Sequence, residues 1–367
     1  MLAPGFPRTA AVVAAVAALG LSVPPGHVGG RPAGAGSGLQ PVVREVYLMG
    51  TRATLVTFDA SRVQALKRLD QLLAALEQTE QELSTWRPES VMSRLNRQPP
   101  GVPFTLPHAT CAAMQEVFRW HEATGGVFDP TVGRLLEAWK VGDGGRLPDA
   151  REIEAARHNT GLQYLQLNPQ SCQIARSRDV QIDTGGFGKG DALDRAAAAA
   201  DGGHPWLIDL GGQVMVDGSP PESQGWEVFI AHPQRRDEPL FALRLADGSL
   251  STSSGSERDV VVRGVRVGHI LDPRTGRPAP FSGSVTVWHQ TGLAADILST
   301  ALYVMGPEQG LAWADAHDVA ACYLYASLRE SGIVEIRTSR AFDRRFPGLR
   351  RTAYFLTSPQ VSIAEPW

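Results

Sequence analysis

The spacing of apolar residues changes from a helical to an alternating period about halfway along the chain. Ser61 with Gln64 three residues on forms a capping-box signature, and Val63, Leu66, Leu69, Leu73, Leu76 and Leu83 follow at helical spacing. This predicts a long amphipathic helix. A second helix is predicted from about 107 to 124, with Cys111, Met114, Val117, Phe118 and His121 on one face and Gly125-Gly126 as its stop. A short third helix after Pro130 carries Val132, Leu135, Leu136 and Trp139. Before them, residues 42–58 are strand-like but broken at Met49-Gly50-Thr51. From Trp206 onward, runs at 206–210, 214–217, 226–231, 240–245, 260–263, 265–269 and 284–288 alternate with period two. Asp217-Gly218, Asp247-Gly248 and Gly264 separate several of them as hairpin turns do. A helix at 294–305, another begun by Pro307 and ending near His317, and strands at 319–325 and 333–337 close the pattern. Early helices and a late, largely antiparallel sheet define an α+β protein.

The N-terminus is read differently. Arg8 precedes an almost unbroken apolar run over residues 10–23, too short for the ~20 residues that span a bilayer, so residues 1–40 read as a signal peptide or uncleaved anchor plus a Gly/Pro linker. Residues 41–367 then form the functional domain, expected to be exported, periplasmic or membrane-associated on the outer face of the inner membrane, with a cytoplasmic place as the alternative. Composition adds little beyond exclusions. With 35 Lys+Arg against 38 Asp+Glu and a formal charge of -3, the chain lacks the dense basic face that nucleic-acid binding needs. Its 38 Gly and 26 Pro among 367 residues make turns abundant. Cys111, Cys172 and Cys322 are widely spaced and odd in number, which argues against a disulfide framework and leaves them as small buried apolar side chains.

The densest chemical cluster is Asp183-Thr-Gly-Gly-Phe-Gly-Lys189-Gly190, between strand-like 180–182 and the Ala-rich helical stretch 191–200. Glycines at a helix mouth let backbone N–H groups approach an anion, and Lys189 adds a mobile positive charge, so the segment suits a phosphate. A tight structural turn is the alternative use of the same glycines. Asp296 and Thr300 lie four apart on one predicted helix and offer a carboxylate and a hydroxyl to Mg²⁺, which takes few protein oxygens beside substrate phosphates. His269, in Gly268-His-Ile-Leu-Asp-Pro-Arg-Thr-Gly276, stands at a strand end as an acid/base candidate, with Asp272, Arg274 and Thr275 placed to fix the turn. Trp86 and Phe128 offer flat apolar surfaces to an aromatic ligand, with an ordinary place in the core as the alternative for each.

Read in order, Met49-Gly-Thr51, Leu83 to Ser90 with Leu95-Asn96, Gly126 to Val132, Asp183 to Gly190, Leu210-Gly-Gly212, Thr252 to Gly255, His269 to Gly276 and Ala295-Asp296 to Ala301 resemble the signatures of the ApbE family of FAD:protein FMN transferases. The resemblance spans about residues 43–320. It implies a two-lobed α+β fold with a flavin groove between the lobes, FAD as donor and Mg²⁺ as essential ion. It also implies transfer of FMN to a Thr or Ser hydroxyl of an acceptor flavoprotein of a respiratory or electron-transfer system, with AMP released. By matching position, the Mg²⁺ ligands would be the Gly186 carbonyl, Asp296 and Thr300. Flavin contacts would come from Met49, Trp86, Val127, Phe128, Asp129, Asp183, Lys189, His269 and Ile270, with Asp183, Lys189 and His269 in catalytic roles and His269 as base. Gly188 stands where members often carry Ala, Trp86 where Tyr is frequent, and Ser299 where some place a further carboxylate. A Mg²⁺-dependent FAD pyrophosphatase, with water as acceptor, and a flavin-binding protein without turnover remain the alternatives.

Overall fold

In a computed structural model, the structure describes residues 39–235, 237–255, 259–327, 333–348 and 354–355. The export segment predicted over residues 1–40 therefore lies almost wholly outside the described residues. The elements run β1 (Gln40–Leu48), β2 (Thr51–Asp59), α1 (Arg62–Leu83), α2 (Val91–Arg97), β3 (Phe104–Thr105), α3 (His108–Ala123), α4 (Gly133–Trp139) and α5 (Ala150–His158). They continue with β4 (Leu165–Asn168), β5 (Gln173–Arg176), α6 (Gly188–Ala199), β6 (Trp206–Leu210), β7 (Gln213–Asp217), β8 (Trp226–Ala231), β9 (Pro239–Leu245), β10 (Asp247–Ser254), β11 (Val260–Val262) and β12 (Val265–Val267). The last are β13 (Leu271–Asp272), β14 (Arg277–Pro278), β15 (Gly283–His289), α7 (Gly292–Ala316), β16 (Ala320–Ala326), β17 (Ile333–Thr338), α8 (Arg340–Arg345) and β18 (Tyr354–Phe355).

A nine-stranded sheet in the order β1-β2-β6-β7-β10-β15-β16-β17-β18 organises the molecule, and its registered pairs are antiparallel. Alternation assigns its two faces. Leu55, Ile208 and Met215 point to a helical layer where α1 and α6 pack with Leu69, Leu72, Leu76, Leu193 and Ala196. Val56, Leu207 and Val214 point the other way, under the β8–β9 hairpin and α8. Toward the far edge, Val285, Val287, Ala321 and Tyr323 carry α7 on the helical side. Each fully buried Leu contributes ~1.5–3 kcal/mol.

Several expectations shift. The buried stripe of α1 is Ala65, Leu69, Leu72, Leu76 and Leu83, while Val63 is 73% exposed, so the helix is rotated from the predicted face. The Ser61 cap is present, its side chain accepting from Gln64 N. Asp247-Gly248 opens β10 instead of marking a turn, because Asp247 pairs with Asp217 and Gly248 with Val216. The two predicted C-terminal helices are continuous as α7 except at Gly306, whose φ of 72° makes a kink before Pro307. Strand-like 180–182 makes only one bridge, Gln181 to Val132.

The cysteine expectation is corrected. Cys111 of α3 and Cys172, in the turn between β4 and β5, form a disulfide, and only Cys322 is free. Their separation of 61 residues hid the pairing in the sequence. The fold closes it by laying the three-stranded β3-β5-β4 sheet beneath α3, with Leu106 N donating to the Cys172 carbonyl at 2.9 Å.

Candidate functional site

The loop before α6 is shaped locally. Asp183 N donates to the Pro130 carbonyl at 2.7 Å, Gly185 N to Asp183 Oδ1 at 2.8 Å, and Thr184 Oγ1 to the Leu83 carbonyl at 3.0 Å. Gly188 N turns back to the Thr184 carbonyl at 2.7 Å, and the fully buried Phe187 anchors the turn in the core. Phe187, at the N-cap of α6, gives no side-chain hydrogen bond, which leaves the helix mouth to be satisfied from elsewhere.

That partner is Asp296 of α7. Its side chain is 4% exposed and accepts from Gly190 N at 3.1 Å through Oδ2, while Oδ1 takes Lys189 Nζ at 3.2 Å and Ser251 Oγ at 3.5 Å. The α6 dipole and one ammonium thus hold a buried negative charge. Close approach of the two helices requires Gly190, since a Cβ there would lie 2.3 Å from the Gly292 carbonyl oxygen. Asp194 completes the join by accepting from Gly292 N at 2.6 Å and Leu293 N at 2.9 Å. Burial raises the Asp194 carboxyl above its ordinary range, and these two backbone bonds oppose the shift.

Four residues on, Thr300 Oγ1 donates to the Asp296 carbonyl at 3.2 Å. A Cβ on Gly186 would stand 3.3 Å from that hydroxyl and 3.1 Å from the Phe128 ring, so Gly186, Phe128 and Thr300 meet across the loop. The structure therefore brings Gly186, Lys189, Asp296 and Thr300 together. All the candidate cation donors are hard oxygens, and the ammonium of Lys189 already sits against the carboxylate, so the place favours positive charge. That set fits Mg²⁺. Among the described residues, no group of three or more His, Cys, Asp or Glu side chains is arranged for a metal.

The remaining residues line the surroundings unequally. Met49 has a positive φ of 51°, its N–H bonds Glu80 Oε1 at 2.8 Å, and its Cε lies 3.7 Å from where a Cβ of residue 188 would be. Trp86 is 84% exposed, with its indole edge beside Gly142. Val127 and Phe128 are buried. Asp129 is buried too, and its oxygens accept from Thr131 N and Oγ1 at 2.8 and 2.6 Å and from Leu162 N at 2.9 Å. It braces the loop it belongs to. His121, on the predicted apolar face of α3, bonds the Phe128 carbonyl through Nδ1 at 2.8 Å.

His269 and Ile270 follow β12 and are half-buried, with Ile270 packed against the main core. Asp272 fixes the following turn as expected, accepting from Arg274 N and Nε, each at 2.9 Å. Sequence reasoning missed Asp259, whose Oδ1 stands 2.8 Å from His269 Nδ1. It also missed Asp194. Neither carries a local signal, because each acts on a residue distant in the chain.

A sequence profile of the ApbE family matches residues 49–324. A protein of Klebsiella pneumoniae (strain 342) named FAD:protein FMN transferase is 33% identical over 273 residues, covering 71% of this chain and 77% of its own. One of the same name from Escherichia coli (strain K12) is 32% identical over 279 residues, covering 73% and 79%. Among solved structures, the ApbE protein of Thermotoga maritima superposes with a TM-score of 0.75 at 28% identity, covering 84% of this chain and 99% of that one. The apo flavinyl transferase ApbE of Pseudomonas stutzeri gives 0.72 at 27% identity, with coverage of 84% and 97%.

Proposed function

The chain belongs to the ApbE family, and from that premise we propose that it is an FAD:protein FMN transferase that moves FMN from FAD to a Thr or Ser hydroxyl of an acceptor flavoprotein. The observation that carries the reading is the buried Asp296 carboxylate clamped at the mouth of α6 by Gly190 N and Lys189 Nζ, with Thr300 one turn on. In the reaction, the acceptor oxygen forms a bond to the FMN-side phosphorus, the pyrophosphate P–O bond breaks, and AMP leaves with the bridging oxygen. The hydroxyl proton passes to His269 Nε2. Asp296, Thr300 and the Gly186 carbonyl would hold Mg²⁺, which would supply charge neutralisation at the pyrophosphate. Lys189, paired with Asp296 and 29% exposed at its side chain, would offer its ammonium to the phosphates. Met49, Trp86 and Ile270 supply apolar surface for the flavin, while the buried Val127 and Phe128 back the loop from the core. Asp183 shapes the loop by accepting from Gly185 N.

Export is part of the proposal. A disulfide persists in an oxidising compartment, which agrees with the apolar run at 10–23 and with a periplasmic or membrane-tethered acceptor. No helix among the described residues is long and apolar enough to cross a membrane.

The test is Asp296→Ala. It is expected to abolish Mg²⁺-dependent flavinylation, by more than about 100-fold, while circular dichroism stays unchanged. Normal transfer by this variant would remove the metal assignment.

A further inference from the structure

Beside His269 lie a carboxylate and a guanidinium that the proposed reaction leaves unused. Asp259, immediately before β11, directs Oδ1 at His269 Nδ1 at 2.8 Å and at the His269 backbone N–H at 3.0 Å. Its Oδ2 is held by Arg266 of β12, through Nε at 2.7 Å and Nη2 at 2.6 Å. Arg266 is fixed in turn by Nη1 donating to Ser282 Oγ at 2.7 Å. The Asp259 side chain is only 8% exposed. Burial alone would raise its carboxyl, but the bonds from His269 and Arg266 outweigh that and hold it below the ordinary carboxylate range. It is therefore an acceptor on both oxygens at neutral pH.

An ionised carboxylate has no hydrogen to give, so the ring nitrogen facing it must carry the proton; in the neutral ring the other nitrogen then keeps its lone pair. We propose that Asp259 is a positioning residue that holds His269 as the Nδ1–H tautomer, with Nε2 as the acceptor for the hydroxyl proton, and that Arg266 fixes the direction of the carboxylate. This rests on the transferase reading and on His269 as its base.

The packing shows the trio to be built in. A Cβ on Gly255 would lie 2.0 Å from Arg266 Nη2, 2.6 Å from Tyr303 Oη and 2.7 Å from Asp259 Oδ2. The ion pair therefore fills the space that a side chain at residue 255, just past β10, would take. Tyr303 lies three residues past Thr300 on α7, about 4.5 Å along the axis, and its hydroxyl donates to the Phe281 carbonyl at 2.9 Å. The charged and titratable groups gathered around the imidazole are thus Asp259 directly, then Arg266 and Tyr303 behind it.

The two-sided clamp makes a specific demand. An Asn at 259 has one acceptor and one donor end, whereas both directions present donors. If its oxygen stays on Arg266, its NH₂ faces His269, opposes the backbone N–H and forces Nδ1 to accept, which moves the ring proton to Nε2. If its oxygen faces His269, the NH₂ opposes Arg266.

The experiment compares full-length wild type, Asp259→Asn, Arg266→Met, the double variant and His269→Ala. Transfer is followed to an acceptor domain with one Thr site, with FAD and Mg²⁺, and the His269 tautomer is read by ¹⁵N–¹H correlation NMR without acceptor. Asp259→Asn is expected to lower kcat at least about 100-fold, with KM for FAD within about threefold, and to move the ring proton to Nε2. Arg266→Met should lose less than about tenfold. The double variant should recover at least about tenfold over Asp259→Asn, because the amide oxygen is then free to face His269. An unchanged tautomer and kcat in Asp259→Asn, with transfer abolished in His269→Ala, would overturn the positioning role and leave the transferase reading intact. Full transfer by His269→Ala would remove the base itself. Equal losses in Asp259→Asn, Arg266→Met and the double variant would show a structural brace and overturn the proposal.

Discussion

Opening the Cys111–Cys172 bond should cost stability without touching the chemistry of the α6 loop. The bond closes a segment of 61 residues, and the chain-entropy relation gives about 4 kcal/mol at 25 °C for a loop of that size. Both cysteines sit in the main core with Leu106, Met114 and Ile174, at 0% and 5% exposure, so reductant reaches the sulfurs only when the lobe opens. The perturbation of choice is Cys111→Ala, which leaves the left-handed turn at Cys172, with its φ of 52°, unaltered. Urea unfolding at pH 7, followed by circular dichroism, compares this variant with the oxidised parent. The parent should show one reactive thiol per unfolded chain, from Cys322, and the variant should be less stable by about 4 kcal/mol. Three thiols in the unreduced, unfolded parent, or equal stabilities, would refute the pairing and remove the disulfide as support for export.

Two glycines two residues apart should respond oppositely. Gly190→Ala puts a methyl 2.3 Å from the Gly292 carbonyl oxygen, so it should destabilise by ~1–3 kcal/mol and raise the Mg²⁺ concentration needed for half-maximal transfer. Gly188→Ala meets only contacts of 3.4 Å and beyond, so thermal unfolding should show a gain of up to about 1 kcal/mol with transfer retained. Asp209 gives a pH prediction. Burial raises its carboxyl from 3.8 to about 6, against the opposing bond from Gly212 N. Between those values the folded state holds more protons than the unfolded, so its contribution to stability falls as pH rises from about 4 to 6, by about 3 kcal/mol. Asp209→Asn keeps the acceptor for Gly212 N and removes the titration. The difference in unfolding free energy between variant and parent should therefore grow in the variant's favour across that range, and a constant difference would contradict it.

Elements with a strong hydrophobic period are legible in the amino-acid sequence. The α1 cap, α3 with its glycine stop, and the alternating strands from Trp206 all stand near their predicted bounds. What escapes is set by tertiary pairing. β10 is not predicted as a strand because its serines give no apolar alternation, yet Ser249, Ser251 and Ser254 are buried in the middle of the sheet between β7 and β15. Short β3, β4 and β5 depend on one another for their hydrogen bonds and have too few residues to show a period. The rotation of α1 follows from Ala65 and Thr79, small residues that the apolar count passes over but that the sheet and α6 accept. In the site, the glycines, Lys189, Asp296 and Thr300 are legible because each is an unusual type at a fixed spacing. Asp194 and Asp259 are not, since an acidic residue near a helix or hairpin is ordinary until its partner, 98 or 10 residues away, is known.

The central claim is tested most directly by intact-mass spectrometry of an acceptor domain incubated with this protein and FAD, with and without Mg²⁺. The account predicts a Mg²⁺-dependent gain of one FMN on the acceptor, matched mole for mole by AMP. FMN and AMP released free, with the acceptor mass unchanged, would contradict it and make water the acceptor, and FAD left intact would contradict turnover altogether.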